Sequence, residues 1–94
     1  MPTHCLHRRI YHYSGRVQGV GFRYTARNVA LRYNVAGYVR NLPDGRVEMC
    51  VEGPDDQIEE MAGEVARKME GFIKGVTVEE QAAVGGMSGF GIRH

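Results

Sequence analysis

Apolar residues recur along this chain at two different periods. Between positions 22 and 33, Phe22, Ala26, Val29, Ala30 and Tyr33 fall at offsets of 4, 7, 8 and 11 residues. That spacing draws one stripe along an α-helix. The residues between, Arg23, Arg27, Asn28 and Arg32, are polar. A helix is predicted from about Gly21 to Asn34, because asparagine tolerates the left-handed backbone of a C-cap. A second stripe joins Ile58, Met61, Ala62, Val65 and Met69. Pro54 opens this helix, Asp55 and Asp56 complement its dipole in the first turn, and Gly71 closes it.

Elsewhere the period is two. "VAGYVRNL" (35–42) places Val35, Gly37, Val39 and Asn41 on one face and Ala36, Tyr38, Arg40 and Leu42 on the other. "RVEMCVEG" (46–53) turns Val47, Met49 and Val51 inward and Glu48, Cys50 and Glu52 outward. The "PDG" between them is a turn signal, so the pair reads as a hairpin. Leu6 to Ser14 reads as a strand with Tyr11 and Tyr13 facing in. Val76 and Val78 mark a fourth strand in "KGVTVEEQ", "AAVGGMSG" is a glycine-loosened loop, and "FGIRH" is a short terminal strand. The order is β-α-β-β-α-β. Each helix has one apolar stripe, so both pack on one face of an antiparallel sheet, an α+β ferredoxin-like sandwich with an extra C-terminal strand. Many unrelated functions share that fold.

Composition narrows the field. Ninety-four residues are expected to form a single domain, 1–94, without repeats. A formal net charge of +1 offers no general grip on nucleic acid or on acidic membranes. No apolar run is long enough to span a bilayer, and "MPTHCLHRRI" lacks a signal peptide's apolar core. A cytoplasmic monomer is expected, with Cys5 and Cys50 as reduced thiols. His4, His7 and His12 invite a metal reading. However, His7 and His12 differ by an odd number and so lie on opposite strand faces, and, Cys5 aside, no acidic or cysteine cluster completes a ligand set. No metal and no cofactor are expected.

The chemistry concentrates in "SGRVQGVGFRY" (14–24), where glycines run directly into a helix. The first N–H groups of a helix lack internal acceptors and carry partial positive charge. Arg23 lies in that first turn, and its side chain leans toward the N-terminus. An exposed cation there is unfavourable by about 0.3–1 kcal/mol, unless an anion joins it. With a phosphate-sized anion, the amides around Gly19, Val20, Gly21, Phe22 and Arg23 converge on the oxygens and the guanidinium grips two of them. Arg16 is a second cation near the loop. The alternative is a tight turn that needs two glycines, with Arg23 in solvent. Other phosphate loops fit worse. The Walker G-x-x-x-x-G-K-[ST] is absent, Tyr24 stands where a dinucleotide fingerprint needs glycine, and no cysteine lies within the cradle.

"GRVQGVGFR" (15–23), "GYVRNLPDGRVEMCVEGP" (37–54) and "GFGIR" (89–93) together closely resemble the acylphosphatases, small ferredoxin-like hydrolases of acyl phosphates. The resemblance covers nearly the whole chain in order. It implies that Arg23 and backbone amides from Gln18 through Arg23 bind the phosphoryl group, while Asn41 holds the attacking water. The Gln18 side chain is expected only to support the loop. The implied substrate is a small acyl phosphate, with inorganic phosphate as product and inhibitor. Tyr38 stands where the family often has tryptophan, and "MEGFIKGVTVEE" departs from the family pattern after the second helix.

Two other functions compete. The same domain, by family resemblance, begins larger hydrogenase-maturation proteins that handle carbamoyl phosphate, so a non-catalytic phosphate-binding module is one rival. A chain of 94 residues is expected to be the free enzyme instead. A ferredoxin-like RNA-binding domain is the other, and it would need aromatics on a basic sheet face.

Overall fold

The computed structural model describes residues 6–94. His4 and Cys5, and with Cys5 the expectation of two reduced thiols, lie outside the described residues. The elements are β1 (Leu6–Gly15), α1 (Phe22–Ala30), β2 (Ala36–Asn41), β3 (Val47–Pro54), α2 (Asp55–Lys68), β4 (Ile73–Ala82) and β5 (Phe90–Arg93). The five strands form one sheet in the order β4-β1-β3-β2-β5. All pairings are antiparallel except β2 with β5, which is parallel, so the sheet is mixed rather than purely antiparallel.

Both helices cover one face, as their single stripes require. Phe22, Ala26, Val29 and Ala30 of α1 and Ile58, Met61 and Val65 of α2 are buried against Tyr11, Tyr13, Val39, Val47, Met49 and Val51 of the sheet. Tyr11 and Tyr13 therefore face in. Val76 and Val78 pair with Tyr13 and Tyr11 but stand on the edge strand beyond the helices, and they remain exposed.

Helix α1 stops earlier than its stripe suggests. Its C-cap is Leu31, and the chain then tightens through bonds from Arg32 N–H to Val29 O (3.0 Å) and Tyr33 N–H to Ala30 O (3.0 Å). Asn34 is not a left-handed cap, since no residue other than glycine has positive φ among the described residues. Its N–H instead donates to Gln57 Oε1 at 3.0 Å. Glu64 of α2 is half-buried. It pairs with Arg32 and accepts the Tyr33 hydroxyl at 2.8 Å, tying α2 to the end of α1.

The outward face of β3 is also covered, contrary to its alternating pattern. Cys50 is fully buried and Glu52 nearly so. The Glu52 carboxylate accepts Arg8 Nε at 2.7 Å and the N–H groups of Val84 (2.8 Å) and Gly85 (3.1 Å). Arg8 is thus held by an ion pair, and the glycine-rich segment is pinned to the sheet. Burial works to raise the Glu52 carboxyl, but these donors outweigh it and hold it below the usual carboxylate range. Glu48 is lowered in the same way, burial being overcome by bonds from His12, Arg40 and Tyr38.

A folded-state carboxyl held low stabilises the fold above its ordinary titration range and loses that contribution as pH falls through the folded value. The protein should therefore lose stability steeply below about pH 4. Glu52→Gln should cost roughly 1–3 kcal/mol at neutral pH and flatten the acid limb. Denaturant midpoints followed by circular dichroism from pH 7 downward check both. An unchanged acid limb in the variant would remove Glu52 from this role.

Candidate active site

Strand direction decides where the chemistry gathers. β1 and β2 are each antiparallel to β3, so both run the same way and both end at the same edge of the sheet. In register, Tyr13 lies opposite Val47 and Val47 opposite Asn41. The loop that follows β1 and the last residue of β2 therefore meet.

The loop is anchored by two buried side chains. Val17 is fully buried, and Phe22 packs its ring 4.8 Å from that of Tyr13. Between these anchors the backbone must turn sharply, and Gly19 and Gly21 do so with φ of 77° and 81°. A side chain at either position would be strained in this left-handed region. A Cβ at either would touch no protein atom, so the glycines leave open space where the loop faces outward. Gly21 is the N-cap of α1 and supplies no side-chain acceptor, and no acid stands in the first turn. Among the described residues, no protein acceptor takes the N–H groups from Gln18 to Tyr24, and the first bond of the helix is Thr25 N–H to Gly21 O at 2.9 Å.

Of the residues carrying these unclaimed donors, Gly19, Gly21, Phe22, Arg23 and Tyr24 join Val17 and Asn41 in lining a cleft of about 210 Å³. Five of the sequence-predicted residues thus meet in one place. Gln18 and Val20 do not line it. The Gln18 side chain turns to the hairpin, where Nε2 donates to Leu42 O (2.8 Å) and Arg46 O (2.9 Å). This clamps the loop to the residue after Asn41. Val20 packs against the core. Arg16 does not line the cleft, and its guanidinium lies 5.7 Å from the centre of the Phe72 ring.

Sequence reasoning missed two neighbours. Tyr24 borders the cleft with a mostly exposed ring, and Arg27 lies over that ring at 5.7 Å. His94 Nδ1 lies 3.2 Å from Arg23 Nη1. Alternation of Phe90, Ile92 and His94 was the available signal, but it needed the direction of β5 to be useful.

Other chemistries find little footing here. Cys50 lies on the opposite face of the sheet, and burial pushes its thiol up, away from the reactive thiolate. The three-dimensional structure does bring acids to a histidine: one ligand atom each from His7, Asp55 and Glu80 lies within 4.8 Å of the others. No local pattern announces that cluster, because its members come from β1, α2 and β4. Arg9 already bonds both carboxylates, to Asp55 and at 2.9 Å to Glu80, so a cation would have to displace it. His12 is engaged separately, 2.9 Å from Glu48 on the other face.

Comparison with known proteins shows the family of the chain. The chain is 48% identical over 80 residues to an acylphosphatase of Acidothermus cellulolyticus, which covers 81% of this chain and 76% of that protein. The crystal structure of an acylphosphatase from Bacillus subtilis superposes with a TM-score of 0.81 at 34% identity, covering 95% of this chain and 99% of that one. A structure of full-length HypF in its phosphate- and nucleotide-bound form matches with a TM-score of 0.77 at 28% identity, covering 95% of this chain but 12% of its own. The family model for acylphosphatase spans residues 9–92, from the first strand through the glycine loop and Asn41 to the last strand, and the chain belongs to the acylphosphatase family.

Proposed function

We propose that this chain hydrolyses acyl phosphates by in-line attack of a water held by Asn41 on a phosphoryl group held by the 18–23 amides and Arg23. Hydrolysis of the carboxyl–phosphate bond to a carboxylate and inorganic phosphate is the activity of its family, and the substrate is a small acyl phosphate. The assignment of roles rests chiefly on one observation: unclaimed main-chain donors, a guanidinium and a carboxamide border a single cleft.

The chemistry suits so sparse a site. In an acyl phosphate the leaving group is a carboxylate, which departs without a proton donor. As the water oxygen bonds to phosphorus, the bond from phosphorus to the carboxylate oxygen breaks. The water's proton passes to a phosphoryl oxygen, leaving a carboxylate and a phosphate monoanion. A loose phosphoryl transition state asks for alignment and charge stabilisation more than for covalent help. Donors fixed before the substrate arrives provide both. Asn41 offers one acceptor and two donors, enough to hold a water by its hydrogen while orienting its lone pair. No metal or cofactor has a part in this scheme, and the protein acts as a cytoplasmic monomer whose site is drawn from one chain.

Hydrolysis of benzoyl phosphate in excess EDTA tests the reading, with inorganic phosphate as a competitive inhibitor. A phosphate monoester such as 4-nitrophenyl phosphate, with its poorer leaving group, should be turned over barely if at all. Loss of activity in EDTA, restored by a divalent metal, would contradict it. Phosphate binding without turnover would favour the second reading, a non-catalytic phosphate-binding module; the similar HypF structure was solved in a phosphate- and nucleotide-bound form. An RNA-binding role has weaker support. The sheet face away from the helices offers no aromatic platform: Arg8, Val84 and Gly85 close over Glu52 of the central strand, and Tyr38 is covered by Arg93 at 3.9 Å.

A further inference from the structure

We propose that His94 is a positioning residue for Arg23, holding its guanidinium with one edge turned to the phosphoryl group. The inference rests on the phosphoryl-binding reading of Arg23 given above.

The parallel pairing of β5 is what makes this contact. β2 and β5 run the same way, with Gly37 beside Phe90 and Arg40 beside Arg93. The chain therefore leaves β5 at the sheet edge where β2 ends in Asn41. Phe90 is buried and Ile92 packs on the core, so the alternate position, 94, falls on the helix-covered face. Arg40 and Arg93 turn to the other face, where both flank Tyr38. His94 thus meets α1 at its first turn, and its Nδ1 lies 3.2 Å from Arg23 Nη1.

The donor and acceptor roles in this pair are fixed by chemistry. A guanidinium only donates, so Nδ1 must present its lone pair, and the ring proton sits on Nε2. Arg23 spends one Nη1 hydrogen on the imidazole. Its Nε and Nη2 hydrogens, on the other edge, remain for two phosphoryl oxygens. No carboxylate bonds Arg23 among the described residues. A long side chain in a half-open cleft otherwise samples several rotamers, and fixing it before the anion arrives removes part of the ordering cost of binding.

The test compares His94→Ala and His94→Gln with wild type, reading inhibition by inorganic phosphate and turnover of benzoyl phosphate. His94 is exposed, so neither change threatens the fold. His94→Ala should raise the inhibition constant about 3- to 10-fold, the range for one lost hydrogen bond, while kcat falls less. Glutamine keeps an acceptor and should restore affinity to within about twofold of wild type. In an Arg23→Ala background, His94→Ala should change nothing more, because the group it positions is gone. An inhibition constant unmoved by His94→Ala, a glutamine variant as weak as alanine, or full additivity with Arg23→Ala would each overturn the proposal. If Arg23→Ala itself leaves phosphate inhibition unchanged, the phosphoryl-binding reading fails first. If Arg23→Ala weakens inhibition and His94→Ala does not, only the role of His94 fails.

Discussion

Arg23→Ala is expected to lower turnover of benzoyl phosphate by at least about 10²–10³, the scale for removing one pre-aimed group that stabilises developing charge. The same change should leave the fold as stable as before, or slightly more so. Arg23 stands in the first turn of α1 with no acid beside it and no side-chain cap at Gly21. A cation in that place costs about 0.3–1 kcal/mol when no anion is bound, and among the described residues its hydrogen bond to His94 offsets part of this. An arginine kept for the fold would show the opposite pattern, with stability and activity lost together. Steady-state kinetics beside denaturant unfolding separate the two. Arg23→Lys should recover little, since an ammonium keeps the charge but cannot present two parallel donors.

The second large effect is expected at Asn41. Its register places it opposite Val47, at the end of β2 and in the same cleft as Gly19, Gly21 and Arg23. Asn41→Ala should cut kcat by about 10²–10³ through loss of an aligned nucleophile. Phosphate should still bind nearly as well, because the amides and Arg23 remain. The two variants thus divide the site: Arg23→Ala weakens anion binding and turnover, whereas Asn41→Ala weakens turnover with far less effect on binding. Asn41→Asp should not rescue, for a carboxylate cannot donate and repels the phosphoryl group. If Asn41→Ala turned over substrate like wild type, the water would be held by some other group.

Local pattern carried much of this structure. Both helices, the hairpin around Pro43–Gly45 and the inward tyrosines of β1 follow from period and turn chemistry, which act over a few residues. The glycine loop was legible for the same reason, since left-handed turns at Gly19 and Gly21 leave a mark in the sequence.

What escaped sequence reasoning was set by contacts between distant segments. Cys50 and Glu52 read as outward and solvated by alternation, yet Arg8, Val84 and Gly85, far away in the chain, close over that face. Arg9 of β1 joins Asp55 and Glu80 from two other elements, a meeting no local pattern marks. The end of α1 was overestimated because Tyr33 continues the apolar stripe, although its hydroxyl is there to meet Glu64. The direction of β5 was invisible as well, and with it the approach of His94 to Arg23.

The central claim is that main-chain N–H groups from Gln18 to Arg23, together with the Arg23 fork, receive the phosphoryl oxygens. A crystal structure of the protein grown or soaked with inorganic phosphate tests it most directly. The account predicts the anion in the cleft, its oxygens within about 2.7–3.1 Å of those nitrogens, and Asn41 bonded to a water facing the phosphorus. A phosphate seated elsewhere, with Arg23 directed into solvent and the loop amides bonded only to water, would contradict it.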